Sequence, residues 1–314
     1  MMKHHSSLIC PLLLFFSLLA APVPAFPEEN EKGGALSIPF DEKSEAGASF
    51  AGGYHEIYPY GFKISLDGSL FLSNTLKNSI LQFDFMGRLV KSYSGSEEFF
   101  RSPGDLTFDS DGMLYFANIE KMTVVKVDMI SALNKTFGGY GTGDGNLLSI
   151  YQIETAPGKK LFVQDAVSAK INVYSPSGSF IKKIACNVPG FSINLRGQLL
   201  FLRRDRLMGY SLYLLEPNSK IPLKLYDIGL AEIIGLEFIG ADYKGNIYVA
   251  TSPDGDYRYV HVYNPNGVLW ASHRLKCSPI PRQFFVFGDG SIYSAEVDRQ
   301  VTGSKPSKIS VRKY

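Results

Sequence analysis

Hydrophobic and polar positions recur along this chain in a fixed order. From Gly61 to Gly95, a short apolar segment runs into Asp-Gly, and an apolar-aromatic segment then ends at Asn. A polar loop, a strictly alternating segment, a turn and a weaker last segment follow. The stretch from Asp105 to Gly139 repeats these elements in the same order. Alternation with a period of two, bounded by turn residues, predicts β-strands rather than helices.

Four further copies of this unit can be placed along the chain, and they span Ile153–Ala185, Phe191–Asp227, Ile239–Leu275 and Phe284–Tyr314. The first turn of each copy recurs about every 44 residues, at Gly68, Gly112, Lys159, Gly197, Gly245 and Gly290. A period of about 40–50 residues with four strands per unit is typical of β-propellers. We therefore predict an all-β fold, a six-bladed β-propeller with four antiparallel strands per blade.

The two ends of the chain predict how the ring closes. The last copy stops at Tyr314, after its third strand, so one blade lacks an outer strand. Because an open ring would expose strand edges, residues before the first copy should fill the gap. The segment Ala48–Gly53 resembles the fourth-strand segment Lys135–Tyr140. We predict a closing strand between Ala35 and Gly53 that pairs beside Lys308–Arg312; a five-bladed ring with a separate N-terminal piece is the alternative.

The start of the chain has the pattern of a secretory signal. A short basic start precedes an apolar run from Leu8 to Ala21, and Val23-Pro24-Ala25 fits a cleavage site. We predict a signal peptide at 1–25, an N-terminal segment at 26–56 that includes the ring-closing strand, and the propeller at 57–314. The mature protein would be exported to the periplasm or the extracellular space. An uncleaved membrane anchor is the alternative.

Two segments resemble a known repeat. Phe137–Gly145 resembles the linker between blades in NHL repeats, and Leu161–Asp165 followed by Lys170–Tyr174 resembles the strands of such a repeat. The chain is similar to exported bacterial NHL-repeat propellers of the TolB-like superfamily. The resemblance implies six blades around a central channel, but no single chemistry, because propellers host many. Related rings include gluconolactonase-type hydrolases, which hold an axial divalent cation, and lyases that hold zinc with histidines.

In such a ring, the starts of the first strands and the loops after the second strands share one face near the axis. Polar groups that converge on a concave mouth are candidate binding residues. The residues predicted at this mouth are Asp105, Gln152, Gln283, Asn118, Asp165, Arg203 and Glu296. Asn and Asp after a strand also commonly bond the backbone of their own loop, so a structural role for Asn118 and Asp165 stays open.

Several features argue against a catalytic or metal site. Asp109-Ser110-Asp111-Gly112 begins like a calcium loop, but Leu114 stands where that loop needs glycine, so a hairpin turn is the better interpretation. No histidine neighbours a serine elbow or a metal-spaced partner. The net charge of +2 does not indicate the strongly basic surface that nucleic-acid binding requires. Cys186 and Cys277 lie at equivalent positions two blades apart, too far for a disulfide.

The sequence therefore predicts a non-catalytic, extracytoplasmic binding or scaffold propeller that presents one loop face to a protein, peptide or glycan partner. We expect a monomer without a cofactor, a nucleic-acid partner or an integral membrane segment after cleavage. The alternative is a metal-dependent, lactonase-like hydrolase with an axial divalent cation. Glu154 or Glu237, together with Asn118 and Asp165, would then imitate the cation-binding set.

Overall fold

The computed structural model describes residues 35–40, 59–96, 98–128, 134–205, 209–228, 235–252, 255, 257–299 and 306–314. The predicted signal peptide lies outside these residues. The described chain forms six antiparallel sheets of four strands each. Its only described helix is the single 3-10 turn Thr75–Lys77, so none of the described helical structure has the length and hydropathy of a membrane span. The all-β prediction is confirmed.

The first three blades follow one another along the chain. Blade 1 consists of β2 (Phe62–Ile64), β3 (Leu70–Asn74), β4 (Ser79–Phe83) and β5 (Leu89–Tyr93). Blade 2 consists of β6 (Pro103–Phe108), β7 (Leu114–Asn118), β8 (Thr123–Val127) and β9 (Asn134–Gly138). Blade 3 consists of β10 (Gln152–Thr155), β11 (Leu161–Asp165), β12 (Lys170–Tyr174) and β13 (Phe180–Ala185).

The last three blades include the one that joins the chain ends. Blade 4 consists of β14 (Phe191–Ile193), β15 (Leu199–Asp205), β16 (Gly209–Leu215) and β17 (Leu223–Asp227). Blade 5 consists of β18 (Glu237–Ala241), β19 (Ile247–Thr251), β20 (Tyr257–Tyr263) and β21 (Leu269–Lys276). Blade 6 consists of β22 (Phe284–Val286), β23 (Ile292–Arg299), β24 (Pro306–Lys313) and β1 (Ala35–Pro39).

The first strands of the six blades surround the axis. Each contacts the first strand of the next blade, and β22 of blade 6 contacts β2 of blade 1, so the ring is closed. Second strands such as β3, β7 and β11 are buried at every position, whereas the outer strand β17 is exposed at four of its five positions. Both faces of each inner strand are covered by neighbouring blades. Apolar side chains of facing sheets therefore pack against one another between the blades.

The core is divided into six clusters, one at each interface between blades. Phe71 and Ile80 of blade 1, for example, pack against Leu106 and Phe116 of blade 2. The other clusters repeat this arrangement around the ring. Each blade therefore buries its apolar faces only against its neighbours, and the fold depends on closing the ring. Cys186 lies in one of these clusters, and both it and Cys277 are free thiols, as predicted.

The N-terminal strand closes the ring where the sequence predicts it. β1 pairs antiparallel with β24, from Ala35 opposite Arg312 to Pro39 opposite Lys308. Leu36 and Ile38 are buried in the cluster between the last and first blades. This finding rules out the five-bladed alternative. The strand uses the beginning of the predicted range, and the segment Ala48–Gly53 lies outside the described residues.

The predicted hairpin turns are also present. All six aligned first-turn positions have positive φ, including +77° at Gly112 and +62° at Lys159. The Asp109 side chain accepts hydrogen bonds from the backbone N–H groups of Asp111 and Met113, at 3.0 and 3.1 Å. The Gly112 N–H donates to the Asp109 carbonyl at 2.9 Å. This calcium-like sequence therefore forms a hairpin turn.

Candidate functional site

The axial channel has two ends of different chemistry. We call the end where the first strands begin the linker face, and the end where each first strand turns into the second the hairpin face. Sequence analysis predicts a binding mouth on the linker face. The structure shows buried, mutually bonded polar residues near that face and a cavity on the hairpin face.

A charged network lies at the axis near the linker face. Arg282 Nη1 donates to Glu237 Oε1 at 2.6 Å, and Arg258 Nη2 donates to Glu237 Oε2 at 2.8 Å. Arg282 Nε lies 3.9 Å from Asp105 Oδ1, and its guanidinium stands 5.2 Å from the centre of the Tyr151 ring. Arg282, Glu237 and Asp105 expose 5% or less of their surface. Blades 5 and 6 thus exchange charge-assisted hydrogen bonds, and Asp105 of blade 2 faces the same guanidinium at a longer distance.

Electrostatics inside this network favour the charged arginine. Burial disfavours the guanidinium cation, but Glu237 and Asp105 outweigh that effect and hold the pKa of Arg282 above its usual value. Burial likewise raises the pKa of the Tyr151 hydroxyl, and the Glu237 carboxylate adds to the rise. Arg282 is therefore a permanent cation, which Glu237 and Asp105 neutralise. The Tyr151 hydroxyl stays protonated.

The predicted axial residues act as cross-links between neighbouring strands. Asp105 Oδ2 accepts the Ile153 N–H of the next blade at 2.8 Å. The Gln152 amide donates to the Phe191 carbonyl at 2.8 Å and accepts the Phe191 N–H at 3.0 Å. The Gln283 amide donates to the Lys276 carbonyl at 2.6 Å. All three side chains are buried, and a role in ligand binding stays a prediction.

Asn118 and Asp165 hold the linkers that enter their own blades. Asn118 Nδ2 donates to the Phe99 carbonyl at 2.9 Å. Asp165 accepts the backbone N–H groups of Leu148 and Ser149 at 2.9 and 3.2 Å. These bonds, with others to its loop, lower the pKa of Asp165 although burial opposes the shift. The structural alternative that sequence analysis left open accounts for both residues.

Arg203 and Glu296 lie away from the axial network, and each is bonded within the protein. Arg203 lies inside β15 rather than in the loop after it, because the strand continues to Asp205 and pairs Arg203 with Ser211. Its guanidinium packs 5.0 Å from the Tyr213 ring centre and donates to the Ala185 carbonyl at 3.0 Å. The buried Glu296 accepts from Arg312 at 3.2 Å and from the Tyr314 hydroxyl at 2.5 Å.

The axial carboxylates do not fit the divalent cation that gluconolactonase-type rings hold. Within the described ranges, no group of three or more His, Cys, Asp or Glu side chains is placed to bind a metal ion. Glu237 bonds two arginines, whereas Asn118 and Asp165 bond linker backbone. Glu154 lies beside Lys63 at the floor of the cavity, where the charges of Asp105 and Arg282 also act on it. The set proposed for the alternative function is therefore dispersed.

A cavity of about 680 Å³ opens on the hairpin face. Its wall combines first-strand side chains with the turns that follow them. The residues that determine its chemistry are Lys63, Leu66, Thr107, Glu154, Ser192, Leu195, Tyr243 and Phe285. This volume falls in the range of about 300–1,000 Å³ that is usual for sites that bind organic ligands. We call this space the axial cavity.

An ion pair lies at the floor of the axial cavity. Lys63 Nζ is 3.8 Å from Glu154 Oε1 and 5.0 Å from the centre of the Phe285 ring. The Ile193 N–H donates to Glu154 Oε2 at 3.1 Å. Burial raises the pKa of the Glu154 carboxyl, and the charge on Lys63 opposes the shift. The floor therefore offers a cation and a carboxyl group whose pKa is raised above that of an ordinary glutamate.

The rim of the axial cavity carries exposed apolar side chains beside polar turn residues such as Asp67 and Ser110. Leu66 and Leu195 expose 79% and 72% of their surface, and Tyr243 exposes 57%. Sequence reasoning missed this end of the channel. A signal was present, because Leu66 and Leu195 occupy hairpin turns, where polar residues are the rule. Exposed apolar residues at three turns around one opening suit contact with a ligand.

Comparisons with known proteins agree with this architecture. Similar solved structures include a virginiamycin B lyase from Staphylococcus aureus, at 12% identity and a TM-score of 0.53 over 82% of this chain and 83% of that one. A putative gluconolactonase is similar at 13% identity and a TM-score of 0.54 over 89% and 92%. A gluconolactonase from Xanthomonas campestris is similar at 11% identity and a TM-score of 0.53 over 79% and 82%.

The chain folds as these six-bladed propellers do. Identities this low establish the shared fold alone. No family model matches the sequence, and no curated protein matches it. The NHL-repeat resemblance therefore stays a prediction.

Proposed function

We propose that this protein is a non-catalytic binding propeller that takes part of a protein, peptide or glycan partner into the axial cavity. One observation carries the proposal: the axial cavity joins an exposed apolar rim to a floor with one cation and one carboxyl group. Such a combination buries an apolar group of the ligand and orients it by a few polar contacts. We further propose that the protein acts outside the cytoplasm, as its N-terminal pattern predicts.

The linker face is the weaker candidate for this role. Its predicted residues Asp105, Gln152 and Gln283 already bond protein groups, so a ligand would have to break those bonds. Losing a buried hydrogen bond costs about 1–3 kcal/mol when a group is left unsatisfied. Lys63 and Glu154 instead stand 3.8 Å apart, longer than a hydrogen bond, and remain able to bond a ligand.

The test is selection of ligands on the wild type, followed by binding to two variants. A displayed peptide library and a glycan array are screened with the wild-type protein. Leu66→Asp/Leu195→Asp places two charges on the rim, and Val90→Asp/Val167→Asp places two charges at exposed valines outside the cavity. Selected ligands should bind the rim variant at least tenfold more weakly and the control normally. Equal binding to both variants, or no selected ligand, contradicts the proposal.

A second candidate is a lactonase-like hydrolase. Two observations favour it: the similar structures include gluconolactonases, and Glu154 is a carboxyl group of raised pKa inside the cavity. The test is hydrolysis of glucono-δ-lactone, with calcium or zinc added, by the wild type and by Glu154→Gln. Under our proposal, the wild type should hydrolyse the lactone no faster than Glu154→Gln does. Turnover that Glu154→Gln abolishes would instead establish an enzyme.

A further inference from the structure

A second cavity lies between blades 3 and 4, beside the axial cavity. Its volume is about 770 Å³, and the two cavities share Ala156 and Pro157 in their walls. One side is formed by the outer strand β13 of blade 3, and the other by the turns of blade 4 at Gly197 and Ser219. We call this space the interblade cleft. Of the site residues predicted from the sequence, only Arg203 lines this cleft.

The lining of the interblade cleft carries charges of a single sign. Six basic side chains contribute to it, and they are Lys160, Lys182, Lys183, Arg196, Arg203 and Lys220. None of the described residues that line it is acidic. The nearby Glu216 accepts a hydrogen bond from Gln198 at 2.6 Å. A concave surface with one sign of charge concentrates ligands of the opposite sign.

Three of these cations have no carboxylate partner. Among the ion pairs of the described residues, none includes Lys160, Arg196 or Lys220. Lys183 pairs with Asp144 at 3.1 Å, but both side chains are more than 60% exposed, so solvent weakens the pair. Burial lowers the pKa of Lys182, and the charge on Lys160 adds to the shift. Lys160 thus repels Lys182, and Lys160, Arg196 and Lys220 are available to a ligand.

The rest of the cleft identifies the class of ligand. Its exposed apolar side chains include Pro157, Ile181 and Pro217, and its neutral polar side chains are only Asn218 and Ser219. A glycan needs many hydroxyl partners, which this wall lacks. A single-stranded nucleic acid would stack its bases on exposed aromatic rings, but Phe162, the aromatic residue of the lining, is 5% exposed. An acidic peptide that also carries apolar side chains matches both the charges and the wall.

We propose that the interblade cleft is a second binding site, which takes an acidic peptide segment independently of the axial cavity. Carboxylates of the peptide pair with Lys160, Arg196 and Lys220, and its apolar side chains lie against the wall. Three exposed or half-exposed charge pairs of this kind should together contribute roughly 10- to 100-fold in affinity.

The probe is a short fluorescein-labelled peptide that alternates Glu and Leu, and its matched control replaces every Glu with Gln. Binding is measured by fluorescence anisotropy at low and physiological salt. We expect Lys160→Gln/Arg196→Gln/Lys220→Gln to weaken binding of the Glu peptide at least tenfold. Lys121→Gln/Lys244→Gln/Lys276→Gln removes equal charge from exposed sites elsewhere and should change binding less than twofold.

Three outcomes overturn the inference. They are equal binding of the Glu and Gln peptides, equal loss in both triple variants, and tighter binding of an acidic oligosaccharide with the same charge. The single rim variant Leu66→Asp separates this inference from the proposed function, because Leu66 lines only the axial cavity and its replacement should leave binding of the Glu peptide unchanged. Thermal unfolding checks folding: the cleft variant should melt no lower than the wild type, since it removes repulsion between cations.

Discussion

The two ends of the axial channel are built from the same six first strands, but their polar groups are arranged differently. Near the linker face, Arg282 bonds Glu237 at 2.6 Å and lies 3.9 Å from Asp105, while Asp105 accepts the Ile153 N–H. On the hairpin face, Lys63 and Glu154 lie 3.8 Å apart under an apolar rim. The first arrangement holds the ring together, and the second leaves polar groups free to bond a ligand.

Neighbouring blades approach one another closely at the linker face. At the linker face, a Cβ on Gly61 would lie 2.6 Å from Arg282 Cβ, and a Cβ on Gly190 would lie 1.8 Å from the Phe238 carbonyl oxygen. Strands that approach so closely bring polar side chains of neighbouring blades within bonding distance. At the hairpin face the spacing is uneven: a Cβ on Gly112 would meet no atom within 4 Å, whereas a Cβ on Gly288 would lie 2.0 Å from the Tyr243 ring. The axial cavity opens beside that contact.

The largest expected effect is loss of the axial arginine. Arg282→Met leaves Glu237 with only Arg258 and leaves Asp105 facing no cation, so the free energy of unfolding should fall by about 3–5 kcal/mol. Urea denaturation measures the change. Arg88→Met, in an ion pair whose arginine side chain is 77% exposed, is the control and should behave as wild type. A loss under 1 kcal/mol for Arg282→Met would show that the network does not stabilise the ring.

The next effect tests the crowding at the linker face. Gly190→Ala combines a φ of +92° with a clash against the Phe238 carbonyl, and should cost about 2–4 kcal/mol. Gly112→Ala has a φ of +77° without a clash, and should cost about 1 kcal/mol. Paired denaturation curves give both values. Equal costs would mean that the strands do not approach closely at Gly190.

A smaller effect concerns the carboxyl group at the cavity floor. The raised pKa of Glu154 means that the folded protein binds more protons than the unfolded chain just above pH 4.5. The wild type should therefore lose stability relative to Glu154→Gln as the pH rises through that range, by at most about 1.4 kcal/mol per pH unit. Denaturation at a series of pH values measures the difference. A difference independent of pH would show that the cavity does not raise the pKa of Glu154.

The smallest effect concerns the apolar rim. Leu66 is 79% exposed, so Leu66→Ser should change the free energy of unfolding by less than about 0.5 kcal/mol. Leu72→Ala, at a fully buried position in the next strand, should cost about 2–5 kcal/mol. The contrast, measured by thermal unfolding, would show that the rim leucine is dispensable for stability. A large loss of stability in Leu66→Ser would show that Leu66 belongs to the hydrophobic core.

The sequence determined the architecture, because its information is local and repeated. Alternating strands and Asp-Gly turns recur six times, and a chain end that lacks one strand needs a partner from the other end. These features led to six blades and to closure beside Lys308–Arg312. The turn at Asp109–Gly112 could be distinguished from a calcium loop for the same reason, since its chemistry depends on neighbouring residues.

Only the tertiary structure decided which end of the channel is open. Arg282 and Glu237 are 45 positions apart in the chain, and no local pattern marks them as partners. The sequence placed Asp105, Gln152 and Gln283 near the axis but could not show that neighbouring blades use their bonding groups. The six cations of the interblade cleft are likewise brought together by packing of two blades. Contacts between blades depend on how closely the strands approach, and that distance is a property of the closed ring.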